Sequence, residues 1–169
     1  MIEVIDNFLS QEEFNFVLNY SKSALYAYGE TDDETRPPLG LVHKIIKSKK
    51  IYKLFENKTK AFVSNHKLYR MYINCFAPSE NPYFHIDCSD EKDDDEVTFL
   101  YYPNETWDLN DGGETQFFID ERIYGIAPVP NRLVYFNANL LHRATSFRDR
   151  HRFTVAIKYG PEDMDDDCI

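Results

Sequence analysis

Residues 152–159 read Arg152-Phe153-Thr154-Val155-Ala156-Ile157-Lys158-Tyr159, and their alternation decides what kind of fold to expect. Successive side chains of a strand point to opposite faces. Phe153, Val155, Ile157 and Tyr159 therefore share one face, while Arg152, Thr154, Ala156 and Lys158 share the other. Upstream, further strands are expected over Leu68–Phe76, Val97–Tyr102, Thr115–Ile119, Ile123–Ile126 and Arg132–Phe136. Turn signals separate them at Pro78, Pro82, Asn110-Asp111-Gly112-Gly113, Pro128 and Pro130-Asn131. Helical patterning is confined to the start of the chain. Ser10 and Glu13 have the spacing of a capping box, and Phe14, Val17 and Leu18 then fall on one face of a helix over 11–24. A second helix is expected over about 48–65, with Ile51, Leu54, Phe55 and Phe62 inward and lysines outward. Between them, residues 31–40 carry Pro37, Pro38 and Gly40 and read as a loop. Two helices ahead of many short strands predict an α+β, mainly β fold, a jelly roll with both helices packed on its larger sheet.

Composition sets the outer limits. A chain of 169 residues is expected to form one domain with a real core. Thirteen Phe and twelve Tyr beside six Gly point to an aromatic interior between strands. The organisation expected is helical support over 1–66, a β core over 67–160 and an acidic tail over 161–169. Cys75, Cys88 and Cys168 show neither CxxC nor zinc spacing, so reduced thiols in the cytoplasm are expected. The opening MIEVIDNFLSQEE has acidic residues where a secretory signal needs basic ones, and no apolar run approaches the roughly 20 residues of a membrane span. A net charge of −10 repels phosphate backbones and argues against a nucleic-acid partner. Much of that charge sits in Asp90–Glu96 and in the tail, which read as solvated segments.

Among five histidines, only His85 has a carboxylate two residues on, in Phe84-His85-Ile86-Asp87. On an extended segment residues i and i+2 point the same way, so both can meet one ion. A distant histidine would complete a two-histidine, one-carboxylate face, which leaves positions open for a co-substrate and dioxygen and suits non-haem iron(II). His142 is the candidate, lying just after the 132–136 strand, and Arg152 with Thr154 follows ten residues later. An arginine fork beside a hydroxyl is suited to grip a carboxylate bidentately.

The order HxD, strand, Gly112-Gly113-Glu114, distal histidine and Arg-x-Thr resembles the 2-oxoglutarate and iron(II)-dependent dioxygenases. Within them it is similar to the prolyl 4-hydroxylase branch, including small stand-alone members of phages and bacteria. Thr98-Phe99-Leu100-Tyr101-Tyr102-Pro103-Asn104-Glu105-Thr106-Trp107 followed by the Gly-Gly pair is similar to a stretch of the hypoxia-sensing prolyl hydroxylases, and Val4-Ile5-Asp6-Asn7-Phe8-Leu9-Ser10 resembles that branch's opening. The resemblance implies a double-stranded β-helix with HxD at the mouth between its sheets. It implies iron(II) on His85, Asp87 and His142, and 2-oxoglutarate on Arg152 helped by Tyr102 and Thr154. Dioxygen would be co-substrate, with ascorbate a possible additional factor. The activity implied is hydroxylation of a prolyl residue in a peptide or protein, with release of succinate and carbon dioxide. One departure stands out: Phe76 occupies the place of a family tyrosine, and Tyr72 or Asn74, on the same strand face, could replace its hydrogen bond.

Other readings remain open beside it. A small-molecule hydroxylase shares all of these features, and a non-catalytic jelly roll with a relic metal site shares the fold. AlkB-like nucleobase demethylation is disfavoured by the charge and by Lys158, which stands where that family shows an arginine. His151 points away from Arg152 on the strand, and His43 and His66 read as bystanders. Trp107 reads as packing under the loop that follows it. Oligomeric state is left open by the sequence.

Overall fold

The computed structural model describes residues 2–28, 37, 39–88 and 95–163. The chain opens with β1 (Ile2–Ile5) and α1 (Gln11–Ser23). α1 starts where its capping box predicts: the Glu13 N–H donates to Ser10 Oγ, and the Ser10 N–H donates to the Glu13 carboxylate. Two short strands, β2 (Ala27–Tyr28) and β3 (Leu41–Lys44), lead to α2 (Lys50–Thr59). α2 is shorter than expected because the chain tightens into a 3-10 turn at Lys60–Phe62 and is extended by Val63. Phe62, at the end of that turn, packs against Phe99 and Tyr135, with centroids 6.2 and 5.6 Å away. The remaining strands are β4 (His66–Phe76), β5 (Val97–Tyr102), β6 (Thr115–Ile119), β7 (Arg122–Ile126), β8 (Arg132–Asn137), β9 (His142–Ala144) and β10 (Arg152–Pro161).

These strands pair antiparallel in two sheets, of order β1-β8-β5-β10-β4-β3-β2 and β7-β6-β9. The architecture is a double-stranded β-helix, as expected. The alternation of β10 divides the interior into two layers. Val155, Ile157 and Tyr159 join a core with Phe14, Val17 and Leu18 of α1 and Ile51 and Phe55 of α2, so both helices cover the outer face of the larger sheet. Ala156 joins a second core between the sheets, with Leu100, Tyr102, Val134 and Phe136 opposite Phe117 of β6. Phe117 meets Phe136 edge-on at 4.8 Å between centroids.

The expected division of the chain needs one correction. Residues 1–66 are not helical support alone, because β1, β2 and β3 lie within them and all extend the larger sheet. Each of the three has four residues or fewer, and β1 buries no complete face, so none shows a period-2 signal. β10 also runs to Pro161, one residue into the expected tail. Most of the 31–40 loop, most of the acidic run and residues 164–169 lie outside the described residues. Among the described residues no helix is long and apolar enough to cross a membrane.

Because Phe55 is fully buried with its ring 5.1 Å from that of Tyr101, Phe55→Ala should cost about 3–5 kcal/mol. Urea unfolding should show this as a lower midpoint, whereas Phe118→Ala on the exposed face of the smaller sheet should shift stability by less than about 0.5 kcal/mol.

Candidate functional site

The site begins with a backbone pairing. The His85 N–H donates to the His142 carbonyl and the His142 N–H donates to the His85 carbonyl, both at 2.9 Å. This bridge lays the HxD segment alongside β9 and brings the two rings to 4.5 Å between centroids. Two residues on, the Asp87 N–H donates to the Ala138 carbonyl at 2.8 Å, which pins the other end of the motif. His85 and Asp87 therefore project together, as an extended i, i+2 pair must.

The ligand atoms of His85, Asp87 and His142 lie within 4.8 Å of one another, a spacing that one metal ion could satisfy. His85 Nδ1 meets the Tyr83 carbonyl at 3.1 Å, and His142 Nδ1 meets the Leu140 carbonyl at 2.8 Å. A carbonyl accepts only, so each Nδ1 carries the proton and each Nε2 presents its lone pair. Both Nε2 atoms sit 3.6 Å from Asp87, one from each carboxylate oxygen. Burial pushes the His142 imidazole down to about 4, against the attraction of Asp87, so the ring is neutral at neutral pH. Two imidazole nitrogens and one carboxylate suit a non-haem iron(II) centre with open positions.

Asp87 is held by two further groups. Lys158 Nζ lies 2.8 Å from Oδ1, and Thr98 Oγ1 donates to Oδ2 at 2.7 Å. Burial would raise the Asp87 carboxyl, but Lys158, with the two histidines, holds it well below the usual carboxylate range. Burial would likewise lower Lys158, and Asp87 more than reverses this.

The cavity that holds the triad is also lined by Arg152, Thr154 and Thr115, and by Tyr72, Asn74 and Phe76. Arg152 is 1% exposed. Its Nε donates to the Gly113 carbonyl at 2.7 Å, Nη1 to Thr154 Oγ1 at 2.5 Å and Nη2 to Thr115 Oγ1 at 2.9 Å. A guanidinium has five N–H donors, so one remains on each terminal nitrogen, in the fork that a carboxylate accepts. Gly113 itself is packed against Phe147: its φ is +83°, and a Cβ there would stand 2.4 Å from the Phe147 ring.

Tyr102 points into the barrel beside Arg152 but is not among the residues that line the cavity. It lies behind the cavity lining, its hydroxyl 2.7 Å from Thr115 Oγ1 and its ring 5.5 Å from the Arg152 guanidinium carbon. Fully buried in the core between the sheets, it meets Arg152 both with its ring and through Thr115. Tyr72, Asn74 and Phe76 do share a face of β4 and all line the cavity. His151 is exposed, His43 bonds Tyr20 and the Leu25 carbonyl, and His66 bonds the Ser64 and Asp95 carbonyls, so none joins the site. Trp107 donates to the Gly112 carbonyl at 3.0 Å, a packing role under the Gly-Gly turn.

Sequence reading missed Lys158 and Thr98 as partners of Asp87 and Thr115 as a partner of Arg152. Period-2 counting had put Lys158 on the face of Arg152, and Thr98 on the face of Tyr102. Only the sheet order, which sets β5 and β4 on either side of β10, turns those shared faces into contacts.

The family model of the 2OG-Fe(II) oxygenase superfamily matches residues 71–159, which span the triad, Arg152 and Lys158. No curated protein matches the chain by sequence. Among solved structures the chain is similar to a prolyl-4-hydroxylase of Pseudomonas putida, at 15% identity and a TM-score of 0.73 over 95% of this chain and 92% of that one. It is also similar to a prolyl hydroxylase of Trichoplax adhaerens in complex with a hypoxia inducible factor peptide fragment, at 18% identity and a TM-score of 0.75 over 95% and 84%. A third likeness is to HygX of Streptomyces hygroscopicus, solved with nickel, 2-oxoglutarate and hygromycin B, at 13% identity and a TM-score of 0.74 over 98% and 84%. At these identities the likeness is one of fold.

The lowered His142 value makes the metal-free chain acid-sensitive in a defined window. The unfolded chain takes up the His142 proton first, so this residue contributes stability above about pH 6.5 that is lost as pH falls toward about 4. The loss should be on the order of 3 kcal/mol. Thermal unfolding with chelator present should show it, and His142→Gln should flatten the profile across that window.

Proposed function

The chain belongs to the 2OG-Fe(II) oxygenase superfamily, and on that premise we propose that His85, Asp87 and His142 hold iron(II) while Arg152 grips 2-oxoglutarate. The observation that carries this reading is the meeting of the triad and the Arg152 fork on one cavity. Bound iron(II) supplies the oxidising chemistry, in which 2-oxoglutarate and dioxygen yield succinate, carbon dioxide and a hydroxylated substrate.

The residues of the chain supply position and exclusion of water. The carbonyls of Tyr83 and Leu140 hold a proton on each Nδ1, which turns each Nε2 toward the metal, and burial keeps His142 neutral at neutral pH. Arg152 offers its two unspent N–H groups, and Thr154 its hydroxyl hydrogen, to the carboxylate remote from the metal. Gly113, Thr115 and, behind it, Tyr102 keep that fork from turning, which holds the co-substrate in one orientation.

The substrate we assign is a prolyl residue in a peptide or protein, supported by the likeness to two prolyl hydroxylases. The equally similar HygX structure, with hygromycin B bound, favours a small-molecule substrate as the second reading. The buried thiol of Cys75, outside any disulfide, supports a cytoplasmic site of action. Mass spectrometry of proline-containing peptides incubated with iron(II), 2-oxoglutarate and protein decides between the substrates. Hydroxyproline is expected, and succinate release without any peptide product would favour the small molecule.

Substitution tests the residue roles directly. His142→Ala should abolish iron-dependent turnover and metal binding while the fold is kept. Arg152→Ala should raise the 2-oxoglutarate requirement at least about a hundredfold, in line with the roughly 2–5 kcal/mol lost on truncating one partner of a buried charge pair. Arg152→Lys should recover part of this, because an ammonium keeps the charge without the fork. His151→Ala, next to it on the opposite strand face, should change little. Calorimetry of 2-oxoglutarate binding measures each variant, and unchanged affinity in Arg152→Ala would move the carboxylate partner elsewhere.

A further inference from the structure

Lys158 is a buried charge at the site that the proposed reaction leaves without a task. Its side chain is 7% exposed and that of Asp87 6%, and the ammonium lies 2.8 Å from Asp87 Oδ1. Thr98 occupies the other oxygen. The ring of Tyr72, which lines the cavity, lies 5.5 Å from the ammonium. The register between β10 and β4 slips directly after Lys158, whose partner is Arg70, whereas Tyr159 faces Leu68. Such irregularities re-aim side chains next to functional sites. Asp87 thus has a partner on each oxygen and a full counter-charge before any metal arrives.

We propose that Lys158 is a positioning residue that neutralises Asp87 in the metal-free chain and so makes metal retention depend on the co-substrate. The inference rests on the triad reading above. In a buried site the local charges decide what can enter. Asp87 and Lys158 sum to zero, so a divalent cation meets no net negative charge and a fixed positive one just beyond its carboxylate ligand. 2-Oxoglutarate carries two carboxylates. Arg152 neutralises one, and the other brings to the metal the negative charge that Lys158 has cancelled. Metal and co-substrate are therefore bound cooperatively, and by linkage each strengthens the other by the same factor. A neutral side chain at 158 leaves the Asp87 charge for the metal, which then binds well without help.

The test is calorimetric titration of the full chain with nickel(II), with and without 2-oxoglutarate, for the parent, Lys158→Met and Lys158→Arg. In the parent, 2-oxoglutarate should tighten nickel binding at least tenfold. Lys158→Met should bind nickel alone at least tenfold tighter than the parent, and its gain from 2-oxoglutarate should shrink to match. Lys158→Arg keeps the charge and should behave as the parent. Without metal, Lys158→Met should melt several degrees lower, and nickel should restore the difference. A Lys158→Met chain that folds only with nickel present also supports the proposal, since the metal then replaces the ammonium. If it stays unfolded at saturating nickel, or binds nickel alone no tighter than the parent, the proposal is overturned while the triad reading stands. A parent chain that binds no nickel, or a His142→Ala chain that binds it as well as the parent, overturns the triad reading and this inference together.

Discussion

Two backbone hydrogen bonds between His85 and His142 hold the site together. They join a segment with no regular strand of its own to β9, and they set the two imidazoles side by side. Side-chain geometry follows from this pairing. Once His85 is fixed, the extended backbone directs Asp87 the same way, and the Ala138 carbonyl locks it there. The two carbonyls that hold the Nδ1 protons belong to residues two positions earlier, Tyr83 and Leu140, so the same local side-chain to backbone contact is used twice. The geometry of the triad is thereby stored in main-chain hydrogen bonds, which no surface change easily disturbs.

Charge in the cavity is arranged differently at its two ends. At the triad, Asp87 is matched by Lys158. At the far end, Arg152 has no carboxylate among its hydrogen-bond acceptors, which are the Gly113 carbonyl and the hydroxyls of Thr115 and Thr154. A buried guanidinium held only by neutral oxygens is expensive to keep, and burial accordingly lowers its pKa. A carboxylate ligand removes that cost. The two ends therefore differ: Asp87 carries a buried ammonium on one oxygen, whereas Arg152 hydrogen-bonds only neutral oxygens and feels Glu114 as a more distant attraction.

The larger elements were legible from sequence because they obey one period each. The capping box placed α1, and β5 and β6 were bounded to the residue by alternation and turn signals. The triad and Arg152 could be picked out because His85 and Asp87 form an i, i+2 pair and because the order of that pair, Gly-Gly-Glu, His142 and Arg152 resembles a known family. What stayed hidden depends on which strands are neighbours. β1, β2, β3 and β9 are too short to show a period, and they form through the edges and partners that the rest of the sheet offers. Lys158 was visible as a residue on the right face, yet its partner lies 71 positions away on a segment outside the sheet.

Phe76 shows how the chain does without the tyrosine that the family resemblance would put there. A hydroxyl at that point would have to be served by the cavity, whereas a phenyl ring only has to be enclosed. Gly40 supplies the enclosure: it has φ +76°, and a Cβ on it would stand 2.7 Å from the Phe76 ring, so the loop can close onto the ring only with glycine there. The lost donor is offset at the other side of the cavity, where Arg152 keeps an N–H on each terminal nitrogen and Thr154 accepts from Nη1 with its own hydroxyl hydrogen left to donate. Three donors converging from one strand are enough for a carboxylate. Around Arg152 the cavity is built by β10 together with Gly113 and Thr115, while β4 lines it with Tyr72, Asn74 and Phe76.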